Sequence, residues 1–261
     1  MQSHTVRLPQ GFFRYLEAGS GRVMVLLHAF PLGAEQWLPQ LSAPPAGWRL
    51  IAPDLRGFGQ SVGSGGEETS MTTYASDVFD LMGHLDVPRA TVVGLSMGGY
   101  VALAMVASDA ERVEGLVLAD TRATADGPEA RLARDRMVDL VRREGASGVA
   151  DEMLAKLLGD TTKRDRPGLV GSVRRLIEAN GPDGVEAAIL AMKDRADRSA
   201  LLGDITCPTV VVCGAEDVIT KPDECEAMSR QIPGARFVCI DGAGHLSNLE
   251  QPGAFASAIV T

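Results

Sequence analysis

Short apolar runs recur along the chain, each followed by a stretch whose apolar residues fall at helical spacing. Arg22 to His28 (RVMVLLH), Trp48 to Ala52 (WRLIA), Ala90 to Val93 (ATVV), Gly115 to Ala119 (GLVLA), Thr209 to Cys213 (TVVVC) and Arg236 to Ile240 (RFVCI) are near-continuous rather than alternating. That is the pattern of strands buried on both faces, as in a mostly parallel sheet covered by helices. Thr5 to Glu17 alternates weakly and is interrupted by Pro9, Gln10 and Gly11, which predicts an edge hairpin feeding the first buried strand. Val78, Leu81, Met82 and Leu85 fall at i, i+3, i+4 and i+7, one stripe of a helix over Tyr74 to Leu85 started near Thr72 or Thr73. His84 lies off that stripe and is predicted to face solvent.

From about Arg122 to Ser199 the strand signal stops. Met137, Val138, Leu140 and Val141, then Met153, Leu154 and Leu157, keep helical spacing, and Gly145, Gly159, Pro167, Gly171 and Gly181 to Gly184 divide the stretch into about four short helices. The fold class is therefore α/β, with a mostly parallel central sheet flanked by helices and an inserted helical cap. Residues 1–121 and 199–261 form the core and 122–198 the cap insertion.

Composition narrows the function. A chain of 261 residues that is 45% hydrophobic suits one large α/β domain. A formal net charge of -9 argues against nucleic acid or an anionic membrane surface as partner. Cys207, Cys213, Cys225 and Cys239 form no CxxC pair and no ligand spacing with histidine, so no metal site, cofactor or redox motif is expected. Met1 to Leu8 lacks the apolar run of a secretory signal, which favours a cytoplasmic location. Ala90 to Ser108 carries no charge and contains a GxxxG, but Gly94, Ser96, Gly98 and Gly99 interrupt it, so strand, turn and helix fit better than a membrane span. The composition leaves a homo-oligomer open.

The chemistry concentrates at Gly94-Leu95-Ser96-Met97-Gly98, a G-x-S-x-G directly after a strand and directly before a helix. In such a turn the serine backbone is strained and its hydroxyl exposed, and glycine two residues to either side lets neighbouring chain pack close. A serine hydroxyl needs a base within hydrogen-bond reach and an acid behind it. Of the four histidines, His245 follows the strand Arg236 to Ile240 and precedes the last helix, so it is the expected base. Asp217, just past the strand Thr209 to Cys213 and between Ser96 and His245 in sequence, is the expected acid, with Asp120 and Glu216 as rivals. An oxyanion needs two donors, expected from the N–H groups of Met97 and of Phe30 in the loop His28-Ala29-Phe30-Pro31. His28 would shape that loop, and Phe30 and Trp37 would wall a substrate-binding acyl pocket.

At these residues the chain resembles the α/β-hydrolase superfamily along nearly its whole length. The matching stretches are HAFP at 28–31, DLRGFGQS at 54–61, GLSMGG at 94–99, CGAEDVIT at 213–220 and GAGHLSNLEQP at 242–252. The subgroup resembles 3-oxoadipate enol-lactonases, small bacterial carboxylesterases, acyl-homoserine-lactone-cleaving esterases and cofactor-free haloperoxidases. One departure is Ala29, where such proteins commonly carry glycine. The resemblance implies a serine hydrolase cleaving a small carboxylic ester or lactone, an enol-lactone or N-acyl homoserine lactone included, through an acyl-enzyme on Ser96. The alternatives are a cofactor-free perhydrolase, in which peroxide intercepts the acyl-enzyme, and a ligand-binding receptor that retains the triad.

Overall fold

The computed structural model of the protein describes residues 1–63 and 69–260. The chain opens with β1 (Gln2–Leu8), β2 (Gly11–Gly19) and β3 (Arg22–Leu27), then α1 (Leu38–Ser42), β4 (Trp48–Pro53), β5 (Val62–Gly63) and α2 (Met71–His84). It continues through β6 (Ala90–Leu95), α3 (Met97–Asp109) and β7 (Val113–Ala119). Four helices follow: α4 (Pro128–Leu157), α5 (Asp160–Asp165), α6 (Pro167–Glu178) and α7 (Pro182–Lys193). Last come β8 (Thr209–Gly214), α8 (Pro222–Ser229), β9 (Arg236–Ile240), α9 (Ser247–Glu250) and α10 (Pro252–Ile259). No helix of the described residues is long and apolar enough to cross a membrane.

The sheet runs β1-β2-β4-β3-β6-β7-β8-β9, with β5 against β2. From β4 to β9 every pairing is parallel, and β2 is antiparallel to both β1 and β4. The N-terminal hairpin is thus present at the sheet edge and leads into β3, as expected. Both edges of β3 are taken, by β4 and β6, so β2 pairs with β4.

Alternate residues of the strands enter opposite apolar layers, because side chains in a strand point to the two faces in turn. Val25, Leu27, Val92, Leu116 and Val211 pack on one face with Val78, Leu81, Val101 and Met105 of α2 and α3. Met24, Leu26, Val93, Val117 and Val212 pack on the other with Leu41 of α1 and Phe255 and Ile259 of α10. This two-sided burial is why the strand runs are near-continuous.

Helix α2 starts one to three residues earlier than its apolar stripe implies. Ser70 is its N-cap, its hydroxyl accepting from the Thr73 N–H at 3.0 Å. His84 is exposed. Between β7 and β8 the chain forms four helices among the described residues, close to the number expected, with breaks at Gly145, Gly159, Pro167 and Gly181. Gly145 (φ 64°, ψ -160°) is non-helical and divides α4 into two helical stretches across a kink, whereas Gly171 and Gly184 lie inside α6 and α7.

These helices meet the core at a close backbone approach. A Cβ on Gly184 of α7 would sit 1.9 Å from the Gly57 carbonyl oxygen. Beside it, the buried Asn180 donates to the Pro31 carbonyl at 2.8 Å and accepts from the Gly59 N–H at 2.8 Å. Gly57 and Gly59 belong to a turn fixed by the fully buried Asp54, which accepts from the Ala34 N–H at 2.7 Å and the Gln60 N–H at 2.9 Å and pairs with Arg14 at 2.7 Å. Arg56 pairs with Asp77 of α2 through two bonds of 2.8 and 2.6 Å. Gly184→Ala therefore forces α7 outward, and overpacking of this kind costs about 1–3 kcal/mol. The expected outcome is a Tm several degrees lower in calorimetry; an unchanged Tm would show that the contact is not tight.

Candidate active site

Ser96 occupies the turn between β6 and α3 with φ 54° and ψ -113°, a left-handed conformation that is strained for a residue with a Cβ. The turn closes because its flanks lack side chains. A Cβ on Gly94 would meet the Gly98 carbonyl oxygen at 2.2 Å, and one on Gly98 the Leu27 carbonyl oxygen at 2.2 Å. The turn is tied to β7, with the Ser96 N–H donating to the Ala119 carbonyl at 2.9 Å and the Thr121 hydroxyl donating to the Ser96 carbonyl at 2.8 Å. Ser96 remains partly exposed.

His245 lies in the loop after β9, buried to 2% exposure. The Glu250 carboxylate holds the loop by accepting from the N–H groups of Gly244 at 2.9 Å and Leu246 at 3.1 Å, on both sides of the histidine. It accepts a third bond, 2.8 Å, from the Gly159 N–H at the far end of α4. His245 Nε2 is 2.8 Å from Ser96 Oγ, and its Nδ1 is 2.8 Å from Asp217 Oδ2. A carboxylate only accepts, so Nδ1 carries the proton and Nε2 is left to accept from the serine hydroxyl.

Asp217 sits in the turn after β8. Its Oδ1 accepts from the Ile219 N–H at 2.7 Å and the Thr220 N–H at 3.1 Å, and its Oδ2 from the Thr220 hydroxyl at 2.6 Å. Burial alone would raise this carboxyl, but the His245 charge and the bonds from His245 and Thr220 outweigh it and hold the group below its ordinary value. Thr220, which lies 3.2 Å from His245 Nδ1, escaped the sequence reading. The only local signal was a hydroxyl residue three positions after the acid.

Neither rival acid touches the imidazole. Asp120, fully buried at the end of β7 with φ 47°, accepts from the Gly214 N–H at 2.8 Å and from the Ser247 hydroxyl. It joins the ends of β7 and β8 to the histidine loop. Burial, then the neighbouring Asp217 charge, push its carboxyl well above its ordinary value. Glu216 turns the other way and accepts from the Thr161 N–H at 2.9 Å and from its hydroxyl. Asp120, Cys213 and Asp217 bring donor atoms within 4.8 Å of one another. The carboxylate oxygens there are already engaged by protein donors, so a cation would have to displace them.

The loop after β3 is similarly braced. The Ala29 N–H donates to Gln36 Oε1 at 2.8 Å, and the Gln36 amide donates to Asn248 of α9, just after the histidine loop, at 3.2 Å. His28, buried, accepts from the Leu55 N–H at Nε2 (3.0 Å) and donates from Nδ1 to the Ala29 carbonyl at 2.9 Å. Burial pushes its pKa down, so it stays neutral in these bonds. Phe30 packs edge-on to Phe58, with ring centroids 6.4 Å apart. Met97 is the first residue of α3, where an N–H has no carbonyl a turn earlier to bond. Trp37, expected to wall a pocket, instead lies fully buried in the far apolar layer, 5.8 Å from the Phe255 ring. The short helical turn Ala34–Trp37 is itself buried, so its aromatic residue belongs to the core.

The Asp120 environment sets a pH dependence. A raised folded-state pKa means that the stability associated with the protonated carboxyl is full below the ordinary carboxylate range and is lost as pH rises through the raised value. Asp120→Asn keeps an acceptor for the Gly214 N–H and has nothing to ionise. The Tm of this variant relative to the natural protein should climb as pH is taken from about 4 to about 8. A difference independent of pH would show that Asp120 titrates normally.

Residues 22–252 match the family model described as the alpha/beta hydrolase fold. The chain is 29% identical over 222 residues to 3-oxoadipate enol-lactonase 1 of Acinetobacter baylyi, covering 84% of this chain and 80% of that protein. It is 31% identical over 220 residues to a pimeloyl acyl-carrier-protein methyl ester esterase of Neisseria meningitidis serogroup A, covering 82% and 67%. Among solved structures, a thermophilic esterase from Thermogutta terrifontis with malate bound superposes with a TM-score of 0.93 at 38% identity, covering 99% of this chain and 97% of that one. The enol-lactonase from Burkholderia xenovorans gives 0.88 at 26% identity, covering 98% of each. With nearly its whole length matched by the family model, the chain belongs to the alpha/beta hydrolase family.

Proposed function

We propose that the protein is a serine hydrolase of a small carboxylic ester or lactone, with Ser96 as nucleophile, His245 as general base and Asp217 as the acid that orients it. The observation that carries this reading is the unbroken hydrogen-bonded line from Asp217 through His245 to Ser96, 2.8 Å at each link. Ser96 Oγ attacks the carbonyl carbon while His245 Nε2 takes its proton. Asp217, held ionised by its own donors, stabilises the imidazolium that forms. The Phe30 and Met97 N–H groups receive the oxyanion. His245 then returns the proton to the leaving alcohol, and water attacks the acyl-enzyme by the same route. The helical segment 122–198 acts as the cap over this site. The relatives support the substrate class, since two are named for an enol-lactone and a methyl ester.

A panel of p-nitrophenyl esters, aliphatic lactones, enol-lactones and acyl homoserine lactones tests the reading. Ser96→Ala and His245→Ala should each lower turnover by roughly four to six orders of magnitude, with Tm within a few degrees of the natural protein. Esterase activity retained in purified Ser96→Ala would refute the assignment. Thr220→Val removes a bond to the ionised Asp217, and bonds to charged groups contribute about 1.5–3 kcal/mol. Its kcat should fall roughly tenfold or more with KM little changed, because Thr220 is buried and acts through Asp217.

A further inference from the structure

A cavity of about 530 Å³ runs beside α3 and under α7, within the usual size of small-molecule sites. Its wall includes Tyr100, one helical turn beyond Ser96 and on the same face of α3, about 6 Å along the axis. It also includes Arg122, whose guanidinium donates to the Ile219 carbonyl in the turn that carries Asp217. The cavity thus borders the segments that hold both the serine and the acid.

Its charge is uneven. Arg195 is committed to Asp126 at 2.6 Å, to the Thr124 and Met192 carbonyls at 2.8 Å, and to the Tyr100 ring at 4.2 Å. Arg122 is committed to Ile219 and to Glu224 at 3.3 Å. Among the described residues the one acidic wall residue, Asp194, is matched by Arg131 at 2.6 Å. Arg198 differs. Its N–H anchors it to the Ala123 carbonyl at 2.8 Å, while its half-buried guanidinium has no hydrogen-bond or ion-pair partner among the described residues. Around it the wall is largely apolar, with Met71, Leu103, Leu190 and Ala191.

The geometry points to a substrate subsite for an anionic tail: Arg198 receives a carboxylate whose connecting methylenes lie along the apolar wall toward Ser96. This inference rests on the serine-hydrolase reading and names its substrate class as an ester or lactone that also bears a free carboxylate. A guanidinium offers a planar pair of donors that matches a carboxylate, and a partly desolvated site strengthens the pairing. The molecule's formal charge of -9 repels anions at long range, so any preference for an anionic ester has to come from a local cation such as this one.

The test compares monomethyl glutarate with dimethyl glutarate, and 4-acetoxybutyrate with its methyl ester, which place the carboxylate on the acyl and alcohol sides respectively. The natural protein should favour one anionic member of these pairs in kcat/KM by roughly tenfold to a hundredfold. In Arg198→Gln that ratio should collapse towards one through KM, and Arg198→Lys should restore part of it. Equal kcat/KM within both pairs, or a preference that survives in Arg198→Gln, would overturn the proposal. Calorimetry of glutarate binding to Ser96→Ala reads the subsite without turnover. Binding there that is lost in Ser96→Ala/Arg198→Gln supports the subsite even if no ester is cleaved, and no binding counts against it even if esters are. The two readings thus fail separately.

Discussion

A loop that carries a functional side chain away from water must find acceptors for its own backbone N–H groups, and at the carboxyl edge of this sheet buried carboxylates supply them. Asp54 takes the N–H groups of Ala34 and Gln60, Asp120 that of Gly214, Asp217 those of Ile219 and Thr220, and Glu250 those of Gly159, Gly244 and Leu246. An unpaired buried N–H costs on the order of 1–3 kcal/mol, so each carboxylate restricts its loop to one arrangement. The geometry around Ser96 is the sum of these restrictions.

The carboxylates do not behave alike. Asp217 is kept low by the facing imidazole and by its donors, whereas Asp120, nearby and more fully enclosed, is driven high. One ionised and one neutral acid can share this interior where two ionised ones would repel. The division also separates their work. Asp217 faces the histidine ring, and Asp120 bonds the strand end and Ser247, holding the histidine loop from the other side.

The helices between β7 and β8 are joined to this rim at several points. Asn180 and Gly184 meet the turn of Asp54, Gly159 meets Glu250, and Thr161 meets Glu216. Movement of this segment would therefore act on the loops carrying His245 and Asp217. The same segment contributes α7 and Arg198 to the wall of the cavity beside α3.

Much of this was legible in the residues. Near-continuous apolar runs identify strands buried on two sides, and a serine between glycines at a strand-to-helix junction declares a turn that only such a sequence tolerates. Both are local signals, set by side-chain period and by backbone sterics. The partner of the hairpin, the capping by Ser70 and the burial of Trp37 were not local, because each depends on which surface was free to receive it. The same holds for Thr220, Glu250 and Arg198, whereas chain order had already favoured Asp217 over Asp120. The sequence by itself determined which chemical groups stood at the ends of strands. Only the tertiary structure decided which of them face one another, because hydrogen bonding and desolvation depend on distances of a few ångströms between residues far apart in the chain.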